Sequence, residues 1–320
     1  MIQAITTYSV IKHVEIYDVL IFINTVILLV IYEPYLNINL VEELKMKIRL
    51  VSILAIAIYF ITTMGSAVIA ADIQTELAKK SVIERIIRRG TLRVGMATFV
   101  PWAMQDKTGK WIGFEIDVAK RLASDMGVKI QFTPTKWEGL IPSLLTGKFD
   151  LIIAGMTGTP QRSLKINFTI PYDYSEAHAV INKAYEGEIK TIQDLNNSKY
   201  TILLRNGTTA VSDTRTFLPK AKLRLFSDSG SVLQELLNKN GHAWIGAAPE
   251  PAQRVVQNPK YLKLLPGSLV ASPISIGVKK GDPDALAYLN NWINLVRHNG
   301  FIKTKVEYWW KGMDWEKDLQ

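Results

Sequence analysis

Cysteine is missing from all 320 residues. Disulfides, thiolate metal sites and cysteine nucleophiles are therefore excluded, and so is a lipid-anchored cysteine. The 4 histidines have no paired spacing, which argues against a histidine metal site. No cofactor is expected. Dense runs of lysine and arginine interleaved with aromatics are also lacking, so nucleic acid is not an expected partner. Long apolar runs are scarce. The run Leu50 to Ile61 is short for a helix that must cross a membrane in about 20 residues.

What is present has globular composition, 48% hydrophobic and 21% charged, with length for two ordinary domains. The stretch MKIRLVSILAIAIYFITTMGSAVIA starts at Met46 with Lys47 and Arg49. A short apolar core and small residues ending at Ala70 follow. That order predicts a secretory signal peptide over 46–70, cut after Ala70. Residues 1–45, with a second apolar run from Val19 to Tyr32, then lie upstream of a complete signal. They read as an extension ahead of the true start at Met46; the rival is an N-terminal membrane helix. Residues 1–45 carry two lysines against five acids, and residues 46–71 carry two cations. The net charge of +9 therefore leaves +10 on the remainder. A basic surface favours anionic ligands, though solubility alone would also account for it.

Along the remaining chain, short apolar runs alternate with helical patterns. TLRVGMA predicts a strand, GFEIDVAKRLASDMG an amphipathic helix stopped by Gly127, and KIQFTPT a second strand. WEGLIPSLLTGK predicts a helix stopped by Gly147, and FDLIIAGM a third, buried strand. The pattern restarts with TILLRNGTTAVSDTRTFL, KLRLFS, SGSVLQELLNKN and HAWIGA. It returns through SPISIGVKKGDPDALAYLNNWINLVRHNG, with an Asp-Pro helix start. Two α/β lobes, each a mainly parallel sheet flanked by helices, place ligands at the carboxyl ends of strands, in a cleft between the lobes.

AWIGAAPEPAQR, Ala243 to Arg254, sets one carboxylate in a strand-to-helix turn. Glu250 is a working acid, a ligand contact or only a helix-start residue; an acid flanked by Pro249 and Pro251 is ordinary chemistry for a first helical turn.

The order and spacing of several stretches carry a resemblance over roughly residues 84–313: RRGTLRVGM, FVPWAMQDKTGKWIGFEIDVAKRLA, KWEGLIPSLLTGKFDLIIAGMTGTPQRSLKINFTIPY, IGVKKGDPDALAYLNNWI and GFIKTKVEYWW. The chain resembles the periplasmic solute-binding proteins of ABC importers, polar amino-acid type, with the two-lobe Venus flytrap fold. The resemblance implies one lobe from residues 71–177 and the return segment 269–320, and a second from 178–268. It implies a monomer that captures an amino acid or related small carboxylate and docks, closed, on an inner-membrane ABC permease. The binding would be non-catalytic, with ligand shifting an open–closed equilibrium.

Arg162 in GMTGTPQR is the expected partner of the ligand α-carboxylate, since a guanidinium gives two parallel donors and stays charged when buried. Gly155 and Thr157 precede it and would complete that site, though Gly155 reads equally as a packing glycine. Phe99 and Trp137 are expected as cleft walls for stacking, and Trp102 as structural. Arg205, Thr208 and Thr209 in RNGTTAV form an anion-friendly turn and helix start, which the resemblance sets on the second lobe's side of the cleft. Where amino-acid binders of this family carry an aspartate for the ligand ammonium, this chain has Ala247. Either the ligand lacks an ammonium or another acid supplies the partner, Glu250 being the nearest candidate. The same fold includes proteins similar to cyclohexadienyl dehydratase, which makes Glu250 a general-acid candidate in an alternative, enzymatic reading.

Overall fold

The computed structural model describes residues 24, 27, 31, 42–43, 45–56, 81–312 and 314–318. Its contacts divide the chain into Met1–Thr75 and Glu76–Gln320. In the first unit residues 45–56 are helical. Among the described residues no helix is long and apolar enough to cross a membrane. The expected cleavage point after Ala70 and most of Val19 to Tyr32 lie outside the described residues.

The second unit opens with helix α1 (Val82–Arg89), capped by Ser81 and closed by Gly90 in the left-handed conformation. Strand β1 (Thr91–Met96) leads to a small hairpin of β2 (Met104–Gln105) and β3 (Trp111–Ile112), then to α2 (Phe114–Asp125). Strand β4 (Lys129–Pro134), α3 (Leu140–Leu145), β5 (Leu151–Ile152), the one-turn α4 (Pro160–Ser163) and β6 (Asn167–Phe168) follow. Gly127 and Gly147 both have positive φ, 67° and 79°, as helix stops at those positions require.

The chain then enters the ten-residue β7 (Asp173–Asn182), and continues through β8 (Thr201–Arg205), α5 (Thr209–Phe217), β9 (Lys222–Phe226) and α6 (Ser229–Leu237). Strand β10 (Ala243–Ala247), α7 (Glu250–Gln257) and β11 (Leu262–Leu264) complete the second sheet. The return runs through β12 (Ala271–Ile274), β13 (Gly277–Val278), α8 (Pro283–His298) and α9 (Phe301–Val306). Asp282 caps α8 by accepting from Ala285 N at 2.9 Å, and also accepts from Val82 N at 2.6 Å. One carboxylate thus fixes the return helix to α1.

The first sheet has the order β4-β1-β5-β13-β6 and the second β11-β7-β10-β8-β9. Each has a parallel centre, β4-β1-β5 or β10-β8-β9, extended on one side by antiparallel strands. Helices cover both faces, so alternate residues of one strand enter different cores. Leu151 and Ile153 pack with Trp102, Phe114 and Trp292, whereas Ile152 packs with Leu140, Leu144 and Phe149. In the second sheet Ile202 and Leu204 face one core and Leu203 the other.

Strand β7 connects the two halves. Its first residues pair antiparallel with β12, Asp173 opposite Ile274 and Glu176 opposite Ala271. Its later residues pair with β10 and β11. Tyr172 and Ile274 belong to the first lobe's core, Ala177 and Ala179 to the second's. Two antiparallel strands therefore carry the chain from one lobe to the other and back.

Candidate functional site

A cavity of about 730 Å³, its open mouth included, lies where the two lobes meet beside β7 and β12. All nine residues expected from the sequence line it: Phe99, Trp137, Gly155, Thr157, Arg162, Arg205, Thr208, Thr209 and Glu250. Trp102 does not. It is fully buried behind the wall, stacked on Phe99 at 5.3 Å between ring centres.

Arg162 stands on α4, which Thr159 caps by accepting from Arg162 N at 3.3 Å and which begins with Pro160. This rigid start aims the side chain across the cavity. Nη1 donates to Thr157 O at 2.8 Å and Nη2 to Gly207 O at 2.9 Å. The guanidinium also lies 5.6 Å from the Trp137 ring centre. Burial lowers its pKa and the charge of Asp213 works against that. Trp137 Nε1 donates to the same Gly207 carbonyl at 2.9 Å.

Gly155 is the packing glycine that the sequence allowed. It lines the cavity, and its φ of +63° together with the Trp102 ring, 3.0 Å from where a Cβ would sit, requires glycine. The second lobe contributes the turn after β8. Thr208 is the N-cap of α5, but its Oγ1 donates back to Arg205 O at 2.8 Å, so the first amides of the helix have no side-chain cap. Such amides are suited to an anion.

Glu250 is the first residue of α7 and also a cavity wall, only 3% exposed. Burial raises its pKa, and the charges of Arg254 and Arg205 and a hydrogen bond from Ser229 pull it back. Arg254 Nη2 lies 3.4 Å from its Oε1. The carboxylate is therefore already partnered within its own helix.

A model of the family described as bacterial extracellular solute-binding proteins, family 3, matches residues 92–312. The chain belongs to that family. This solute-binding protein is similar to the L-cystine-binding protein TcyJ of Escherichia coli (strain K12), 28% identical over 247 residues, 77% of this chain and 92% of that one. It is similar to the cyclohexadienyl dehydratase of Pseudomonas aeruginosa, 22% identical over 233 residues, 72% of this chain and 87% of the other. Among solved structures, the ancestral amino acid-binding protein AncCDT-1, a precursor of cyclohexadienyl dehydratase, superposes with a TM-score of 0.67. It is 35% identical and covers 72% of this chain and all of its own.

The sequence reading missed two acids of this solute-binding protein, Asp213 and Glu176. Asp213 lines the cavity from α5, and its Oδ2 is buried without a hydrogen-bond partner. Burial raises its pKa and the charge of Arg162 lowers it. Asp213 lies four residues after Thr209 and so shares its helix face. That spacing was the available signal. Ser175, Glu176 and Ser272 also line the cavity, from β7 and β12, which the sequence treated only as connections. Ala247 lines it too, at the end of β10. Among the described residues no group of acids and histidines is arranged to hold a metal ion.

Proposed function

We propose that the chain is the ligand-capturing component of an ABC importer, taking an amino acid or a related small carboxylate between its lobes. The observation that carries this reading is the position of Arg162, a half-buried cation fixed on the first lobe and reaching a carbonyl of the second. A carboxylate entering between the lobes would meet that guanidinium, the Thr157 hydroxyl and the uncapped amides of α5 together. Contacts made with both lobes favour the closed form, which a permease can distinguish from the open one. Residues 71–177 with 269–320, and 178–268, would be the bodies that move, with β7 and β12 as the hinge. Export through the 46–70 signal would place a monomer in the periplasm, without a lipid anchor because there is no cysteine.

The test is a thermal-shift panel on purified protein stripped of bound ligand by unfolding and refolding. Amino acids, their desamino and 2-oxo analogues and dicarboxylates are compared. A ligand at a hundredfold over its Kd stabilises by about 2.7 kcal/mol, a readable shift. A panel in which no carboxylate shifts the melting temperature would sink the reading.

One observation favours a second reading. Glu250 is a buried carboxyl on the cavity wall with a raised pKa, the property a general acid needs. Release of phenylpyruvate from prephenate, lost in Glu250→Gln, would establish a dehydratase. The pairing of Glu250 with Arg254 supports the binding reading instead.

A further inference from the structure

Arg205 ends β8 and turns its guanidinium into the cavity, with 9% of the residue exposed. The guanidinium lies 5.7 Å from the Phe99 ring centre and 5.4 Å from that of Trp137. Its Nε is buried and has no acceptor. Among the described residues no carboxylate is within ion-pairing distance; Glu250, Glu138 and Asp228 act on it only from further away. Apart from Asp213, whose buried Oδ2 also has no hydrogen-bond partner, the other charges in and around the cavity have partners. Arg162 has two carbonyls and Asp213 close by, Glu250 has Arg254 at 3.4 Å, and Glu176 has His178 at 2.9 Å. Arg205 is the cation left over, and a buried donor without an acceptor is costly.

We propose that Arg205 sets specificity, making the cavity select a ligand that carries a second anionic group besides the carboxylate received at Arg162. The proposal rests on the carboxylate-binding reading above. Two geometric facts support it. First, the two guanidiniums lie over one Trp137 ring, 5.6 and 5.4 Å from its centre, so they are at most about 11 Å apart, the two radii end to end. Allowing about 3 Å from each set of donors to a carboxylate oxygen, a dicarboxylate of four or five carbons reaches both. Second, the faces of Phe99 and Trp137 are where a cationic ligand side chain would stack. Arg205 already occupies that position. A second cation there would meet a like charge at low dielectric. The site therefore works against lysine-like and arginine-like ligands, and Asp213 remains free to take an ammonium. The ligand class is an acidic amino acid or a compound of the same charge pattern.

The test is isothermal titration of the ligand-stripped full chain with L-glutamate, L-aspartate, L-glutamine, L-lysine and L-arginine, for the wild type, Arg205→Ala and Arg205→Gln. The wild type is expected to bind the acidic amino acids more tightly than glutamine, and the cationic ones weakest. The ratio of glutamate to glutamine affinity should fall on the order of 30-fold in Arg205→Ala, the effect of removing one partner of a buried charged pair. Binding of lysine or arginine should rise. If Arg205→Ala does not fold, Arg205→Gln keeps part of the side chain and two N–H donors without the charge, and the same ratio is read there. A wild type that prefers lysine or arginine, or a ratio unchanged in the variants, overturns the assignment of Arg205 and leaves the amino-acid-binding reading standing. Absence of binding by every carboxylate tested overturns both.

Discussion

Arg162 Nη2 donates to the carbonyl oxygen of Gly207 at 2.9 Å, and the two residues belong to different lobes. Trp137 Nε1 donates to the same oxygen at the same distance. One second-lobe carbonyl thus receives two first-lobe donors. A hydrogen bond of this kind is worth about 1 kcal/mol net, and neither side chain is free to leave without losing it. The two lobes are therefore joined by polar contacts at the cavity itself, where a ligand can compete for them.

Trp137→Phe keeps the ring and removes one of the two donors. The closed form should lose about 1 kcal/mol, so the ligand-free variant opens more than the wild type. Small-angle scattering of both proteins without ligand would show a larger radius of gyration for the variant. Identical profiles would mean that the Trp137 bond does not hold the lobes together.

Arg162→Lys retains the charge but loses the planar pair of donors. Lysine cannot satisfy Thr157 O and Gly207 O and present a flat face to a carboxylate at once. Carboxylate affinity is expected to fall by about 1.5–3 kcal/mol, the value of hydrogen bonds to a charged group. Titration calorimetry reads this directly. A loss of less than about twofold would remove Arg162 from the carboxylate site.

Asp213 and Glu250 can be separated by what they do to an ammonium. Asp213 has a buried oxygen without a donor, whereas Glu250 is partnered by Arg254 and Ser229. Asp213→Asn should therefore weaken α-amino acids by about tenfold or more relative to their 2-oxo analogues. Glu250→Gln should change that ratio little. The reverse pattern would return the ammonium to Glu250. If neither variant changes the ratio, the ligand is held without an ammonium contact.

How far the sequence foretold this site depends on the range of the signal. Gly127, Gly147 and Asp282 act within one turn of chain, and each sits where its local chemistry requires. Arg162 and Arg205 were visible because the first closes, and the second opens, a motif of consecutive residues. Asp213 was not, since its meaning arises only when α5 is wound and its fifth residue returns to the face of Thr209. The run FDLIIAGM illustrates the opposite limit. Only Leu151–Ile152 forms a ladder strand, because the chain leaves the sheet and turns at Gly155 to pack on Trp102, a contact no local pattern encodes. The pairing of β7 with both β10 and β12 is likewise long-range.

Behind Gly155 lies a carboxyl group whose titration should be measurable in the stability of the whole protein. Glu115 is 1% exposed at the start of α2. Tyr172 Oη donates to it, 2.8 and 2.7 Å from its two oxygens, and the Gly155 amide bonds it as well. Burial outweighs these bonds and raises its pKa to about 8, against 4.5 for an ordinary glutamate. The folded protein therefore holds a proton between those values that the unfolded chain has released. When the folded state binds more protons, stability falls as pH rises. The decline begins near pH 4.5, proceeds at no more than about 1.4 kcal/mol per pH unit and levels off above about 8. Burial also raises the pKa of Asp173, Asp213 and Glu250, giving slopes of the same sign. Glu115→Gln cannot ionise and keeps most of the shape. Urea unfolding at about pH 5, 6.5 and 8 should show the wild type losing stability more steeply than the variant, so that the variant's relative stability improves as pH rises. Parallel curves would mean that Glu115 is charged in the folded state, held so by Tyr172 and Gly155.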